Sequence, residues 1–245
     1  MTVAGIVPDW PQPAHVRAVV SERSGGVSAG QYASLNLGAH VGDLPAAVLE
    51  NRRRLVRDLK LPSEPAWLDQ VHGTRIVDLD AAWSGPADGA VTSRPGVVCA
   101  ILTADCLPVL LTDREGTRVG AAHGGWRGLA AGVLPEVVAA MGRLPGELLA
   151  WLGPAIGPGA YEVGEEVRAA FLARVPDARD AFHANARGRW QADLYALARL
   201  SLAGAGVTAV YGGGFCTSTE AERFFSHRRE APCGRMASLI WLNPR

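Results

Sequence analysis

The sequence predicts an α+β protein, a layered sandwich of sheets and helices rather than a doubly wound sheet. Three observations carry this. Four apolar, strand-like segments follow one another between residues 87 and 123 with no helix among them. The clearest helical patterns lie outside that block, at 45–60, 126–142 and 192–206. Regular strand–helix–strand alternation, the mark of a parallel sheet covered on both faces, is missing. No linker, internal repeat or low-complexity tract interrupts the 245 residues, so residues 1–245 are expected to form a single domain.

The elements follow in order. HVRAVVSE (15–22) reads as a first strand. SGGVSAGQYASLNLG (24–38) is a polar, glycine-rich loop, longer than a simple connection requires. In PAAVLENRRRLVRDLK (45–60), Val48, Leu49, Leu55, Val56 and Leu59 recur at helical spacing behind Pro45, which suits a helix start. AWLDQVHG and TRIVDLD (66–80) read as two strands around a turn at His72 and Gly73. ADGAVTS, GVVCAILT, LPVLLTD and TRVGAAH are the strand block, with Asp113 to Gly116 supplying turn chemistry between the last two. WRGLAAGVLPEVVAAMG (126–142) reads as a helix that Pro135 kinks or restarts. Residues 148–175 give a strand, a Gly/Pro loop and a helix; 192–206 give another helix, then the strand VTAVYGG. SLIWLN (238–243) closes the chain as a strand.

Composition excludes several function classes. Formal net charge is zero, so no nucleic-acid or membrane partner bound by bulk electrostatics is expected. Lys60 is the only lysine, and there is no GxxxxGK[ST] phosphate loop. MTVAGIVPDWPQP lacks the basic start and apolar run of a signal peptide, and no apolar segment reaches the ~18 residues that span a bilayer. The expected location is the cytoplasm. Cys99, Cys106, Cys216 and Cys233 show no CxxC spacing, so they are expected as free thiols or metal ligands.

His72, Cys106 and His123 share one context: each ends a strand-like segment or lies in the turn beside it. Two imidazoles and a thiolate leave zinc an open fourth position, and the same donors with a weak axial ligand describe type-1 copper. Spacing alone does not choose between these metals. The residues also permit a Cys106 nucleophile with a histidine base, or simple packing of a small buried thiol. His123 precedes Gly-Gly-Trp-Arg-Gly at a helix start, where bare N–H groups and Arg127 suit an anion such as phosphate.

DQVHG (69–73), TADCLPVLL (103–111), AHGGWRG (122–128), LGPAIGP (152–158) and FFSHRR (224–229) stand in the order found in one family. With the SGGVS loop and the late GRMASLIWL, the chain resembles the polyphenol oxidase/laccase-domain family, also described as multifunctional purine nucleoside phosphorylases. The resemblance implies an α-β-β-α sandwich and a zinc site of His72, Cys106 and His123. It implies phosphorolysis of adenosine, inosine and 5'-methylthioadenosine, with an adenosine deaminase side activity. Asn36, in SLNLG, matches a position that approaches substrate in the family. The chain departs from the family pattern at Gly159-Ala160, where a cysteine is frequent, and at His227, where tyrosine is frequent.

Phosphorolysis needs cations for phosphate, and Arg127, Arg228 and Arg229 are the candidates, of which Arg127 and Arg228 are taken as substrate-binding. Asp105, beside Cys106, is the candidate proton carrier, so the expected catalytic set is His72, Cys106, His123 and Asp105. The H-x-E…P-C-x-x-C deaminase signature is absent, so deamination would need another layout. Six histidines and no His-x-His run fall short of a four-copper laccase, which leaves a mononuclear copper as the oxidase alternative. A closed structural zinc would need a fourth protein ligand that the sequence does not group with the other three. The expected partners are a purine nucleoside and phosphate.

Overall fold

A computed structural model describes residues 2–244. The elements run β1 (Gly5–Ile6), β2 (Val16–Ser21), α1 (Pro45–Asp58), β3 (Ile76–Asp78), β4 (Gly89–Thr92), β5 (Val98–Thr103), β6 (Leu107–Asp113) and β7 (Val119–Gly124). They continue with α2 (Trp126–Ala131), α3 (Val133–Met141), β8 (Leu148–Leu152), β9 (Glu162–Val163), α4 (Glu165–Leu172), β10 (Phe182–Ala184) and β11 (Trp190–Ala192). The last are α5 (Leu194–Gly204), β12 (Ala209–Gly212), α6 (His227–Glu230) and β13 (Met236–Leu242).

The fold is α+β. Strand order is β1-β2-β13-β5 in an antiparallel sheet and β12-β8-β6-β7-β4-β3 in a mixed one. Only the outer pairs of the larger sheet, β12–β8 and β3–β4, are parallel. Side-chain alternation sorts the core into layers. Val98, Ala100 and Leu102 of β5, with Leu239 and Trp241 of β13, pack on Leu55 of α1. Cys99, Ile101 and Ile240, one residue out of phase, face Leu110, Ala121 and Trp151 of the second sheet. The far face of that sheet, with Val109 and Leu111, packs on Leu134, Val137, Leu197 and Leu202 of α3 and α5. This is the α-β-β-α layering the resemblance implies. Each fully buried leucine contributes about 1.5–3 kcal/mol relative to exposure. Among the described residues no helix is long and apolar enough to cross a membrane.

Two local expectations are corrected, and one small sheet was not expected. Residues 66–72 form no strand; Ala66 makes a single bridge to Cys99. The reason is Gln70, whose side chain donates to the Leu102 carbonyl at 2.9 Å and accepts from the Leu102 N–H at 2.8 Å. An amide side chain thus pairs the edge of β5 in place of backbone. The helix at 126–142 breaks at Gly132, where φ is 102°, and restarts at Val133. Pro135 lies in the first turn of α3, where no intrahelical bond needs its missing N–H. The small antiparallel sheet β10-β11-β9 was invisible in the pattern, because strands of two or three residues carry no readable period.

Candidate functional site

The β5–β6 turn and the end of β7 meet because β6 and β7 pair antiparallel, with Leu107 opposite Gly124 and Pro108 opposite His123. That register carries Cys106, one residue before β6, to the end of β7. His72 arrives on a separate loop. Its sulfur neighbour is close: Cys106 Sγ lies 3.8 Å from His72 Nε2. The His72 and His123 rings stand edge to face, with centroids 4.7 Å apart. The ligand atoms of His72, Cys106 and His123 all lie within 4.8 Å of one another.

Asp88, just before β4, holds this arrangement. Its carboxylate accepts the backbone N–H groups of Val71 (3.2 Å), His72 (2.8 Å) and Gly73 (2.7 Å). It also contacts His123 Nδ1 at 2.8 Å, and the Asp88 carbonyl accepts the His123 N–H at 2.7 Å. His72 sits in the left-handed region at φ 62°, a conformation an L-residue adopts only when its surroundings enforce it. Three N–H bonds to one carboxylate supply that constraint. Asp88 is fully buried. Burial pushes its carboxyl up, and the hydrogen bonds from His123 and the 71–73 turn outweigh that, so the net shift is down.

Burial would raise the Cys106 thiol. The positive charge of His123 and hydrogen bonds from His123 and His72 reverse it, and bring the thiol down to about 6. Burial would likewise lower His123, but the Cys106 thiolate and Asp88 push it up to about 9. The metal-free site therefore favours a thiolate–imidazolium pair. A thiolate and two imidazoles fit zinc or copper. Around a tetrahedral zinc, a thiolate and an imidazole nitrogen lie about 3.6 Å apart, close to the Cys106–His72 separation. The Asp88–His123 contact is the carboxylate partner that metal-bound imidazoles take.

The glycines of AHGGWRG have a use beyond the anion cradle read in the sequence. A methyl group at Gly125 would lie 2.6 Å from His72 Cδ2 and 3.2 Å from Cys106 Sγ. One at Gly128 would lie 2.9 Å from the Gly73 carbonyl oxygen. Both glycines let α2 approach the donor cluster.

The three donors open on a cleft of about 400 Å³. Asp105 and Arg228 line it, and so do His40, Gln70, Tyr161, His227 and Arg235. Asp105 stands at φ 86°, its carboxylate accepting from the Thr217 hydroxyl and the Arg228 N–H, both at 2.6 Å. Arg228 Nη1 donates to the Glu162 carbonyl at 2.9 Å, and its guanidinium lies over Tyr161. Two residues expected to bind substrate are not among those that line this cleft. Arg127 is not among the lining residues; it is exposed, with its guanidinium 4.3 Å from the centre of the Trp126 ring. Asn36 is fully buried behind the wall, bonded to Gly38, Asp43 and the Arg235 N–H.

Sequence reasoning missed Asp88, His40, Tyr161 and Arg235. An acid followed by glycine at the head of an apolar strand was the available signal for Asp88. Cys216 and Cys233 belong to no metal-holding group among the described residues. Cys216 Sγ accepts from the Gly157 N–H at 3.3 Å, and Cys233 is buried.

This fold and donor set define a class. Residues 17–243 match the family described as multi-copper polyphenol oxidoreductase laccase, and the chain belongs to that family. Its relatives carry a different functional name. It is 58% identical over 240 residues to a purine nucleoside phosphorylase of Pseudomonas aeruginosa, covering 98% of each chain. It is 55% identical to the purine nucleoside phosphorylase YfiH of Escherichia coli strain K12, covering 97% of this chain and 98% of that one. The crystal structure of a Neisseria meningitidis protein superposes with a TM-score of 0.93 at 50% identity, covering 98% of this chain and 99% of the other.

Proposed function

We propose that this chain is a zinc-dependent purine nucleoside phosphorylase acting on adenosine, inosine and 5'-methylthioadenosine, with adenosine deamination as a side activity. Residues 1–245 act as one domain in the cytoplasm, without a nucleic-acid or membrane partner. The observation that carries the reading is the convergence of His72, Cys106 and His123 on a cleft of nucleoside size that also holds Arg228 and Arg235. The relatives' name supports the phosphorylase part of this reading.

In this reaction a phosphate oxygen forms a bond to the sugar C1' as the C1'–N9 bond breaks, and the electron pair leaves on the purine. His72, Cys106 and His123 would hold the zinc, which when bound supplies a Lewis acid in the cleft. Asp88 keeps His123 in one orientation. Leu102, Ala104 and Ile156 are the cleft's apolar lining and exclude water from the bond being cleaved. Asp105, the one carboxylate of the lining, would take the proton released by the attacking phosphate and return it to the departing purine.

The test is release of hypoxanthine from inosine by the purified zinc-loaded protein, with and without phosphate. Phosphate-dependent release with ribose 1-phosphate as co-product is the expected result. No release in either condition overturns the reading. The thiolate and two imidazoles are also a copper ligand set, so phenol oxidation by the copper-loaded protein is the second assay.

A further inference from the structure

The cleft carries more positive charge than its own residues balance. Arg228 and Arg235 line it, and its only carboxylate, Asp105, has one oxygen bonded to the Thr217 hydroxyl and the other to the Arg228 N–H. Neither arginine forms an ion pair among the described residues. The Arg235 guanidinium meets two carbonyls and a thiol: Nη1 donates to the carbonyls of Cys233 at 2.8 Å and Gly234 at 3.1 Å and lies 3.6 Å from Cys233 Sγ. Those contacts fix the group's direction without neutralising it.

The glycine-rich loop of the sequence turns out to build the same wall. The Leu37 N–H donates to the Arg235 carbonyl at 3.1 Å, and the Arg235 N–H donates to Asn36 Oδ1 at 3.0 Å. Asn36 is itself locked: its Nδ2 donates to Asp43 at 2.9 Å, and its carbonyl accepts from Asn51 at 2.9 Å. The Arg235 stem lies on Gly38, where a methyl group would come within 2.8 Å of Arg235 Cγ. Two residues on, the same loop delivers His40 to the cleft. Partial burial first, and the positive charge of Arg235 second, push the His40 imidazole below its usual range. Asp69 acts on His40 in the opposite sense and Arg52 in the same sense as Arg235, and the net shift stays downward.

We propose that Arg235 and His40 form the oxyanion subsite of the cleft, where inorganic phosphate sits. This rests on the phosphorylase reading and deepens it. It assigns phosphate to the wall built by residues 36–40 and 235, away from the sequence-adjacent Arg127. A guanidinium fixed by its backbone contacts and a neighbouring imidazole are donors suited to a compact dianion.

The experiment compares Arg235→Gln, His40→Gln and Arg127→Gln in the zinc-loaded protein. The phosphate KM is expected to rise roughly tenfold or more in Arg235→Gln, and by a smaller factor in His40→Gln, with the inosine KM within about twofold of the parent. Zinc content stays at the parent level. An unchanged phosphate KM, an equal rise in both KM values, or a rise confined to Arg127→Gln overturns the subsite. Exposed His40 supplies a variant that folds even if Arg235→Gln does not. If the parent cleaves no nucleoside, the phosphorylase reading fails, and calorimetric titration with inorganic phosphate still decides the subsite. Binding by the parent that weakens roughly tenfold in Arg235→Gln upholds it. Absent or equal binding overturns it. Binding of inosine 5'-monophosphate that weakens while that of inorganic phosphate does not also overturns it.

Discussion

The Asp88 carboxylate stands 2.8 Å from His123 Nδ1 and, through three N–H bonds, also fixes the turn that presents His72. One buried side chain thus orients two of the three candidate metal donors. Asp88→Ala should weaken zinc binding by roughly 10–100-fold, measured by competition with a chelator. It should also lower the melting temperature of the metal-free protein, because three partly buried N–H groups lose their acceptor. Parent-like zinc affinity in this variant would remove Asp88 from the support of the site.

Cys106 makes its own test. It lies between two strands whose pairing does not use its side chain, so Cys106→Ala should keep the fold and lose stoichiometric zinc. Elemental analysis gives the metal, and circular dichroism gives the fold. Full metal retention would sink the three-donor site.

Gly125 separates close approach from anion cradling. A methyl group there meets His72 and Cys106 and forces the donors apart. Gly125→Ala should therefore reduce zinc content and stability together, read by elemental analysis and thermal melts. A change in phosphate requirement with intact zinc would favour the anion role read from the sequence.

Much of the site was legible because Cys106 and His123 lie at strand ends, which can be read locally, and His72 stands in a turn with Gly73, although no strand leads into it. His72, Cys106 and His123 each sit beside a turn signal in the chain. Asp88 was not legible, because its partners lie 15 to 35 residues away and an acid before glycine resembles any turn residue. Arg127, a neighbour of His123 in sequence, has its guanidinium on Trp126 and is not among the residues that line the cleft. Asn36 carried a real signal with a different meaning: its amide holds the Arg235 backbone from behind the wall. The layers were readable from alternating burial, whereas the β10–β11 hairpin, with three-residue strands, offered too short a period.

Asp113 gives the fold a defined acid limit. It ends β6 and is 3% exposed, accepting from the Thr117 hydroxyl, the Thr117 N–H at 2.6 Å, the Arg118 N–H at 3.1 Å and Arg143 at 3.3 Å. Burial pushes its carboxyl up, but those donors outweigh burial, so the folded group titrates below its usual range. Where the folded value is depressed, the unfolded chain binds more protons, and stability rises with pH. The contribution is therefore complete above the unfolded carboxyl value of about 3.9 and is lost as pH falls through the lower folded value. Asp113→Asn should melt earlier than the parent at neutral pH, at a cost of about 1–3 kcal/mol. The gap between the two melting curves should close only below about pH 4. A gap that stays constant down to about pH 2.5 would show that the charge of Asp113 does not stabilise this turn.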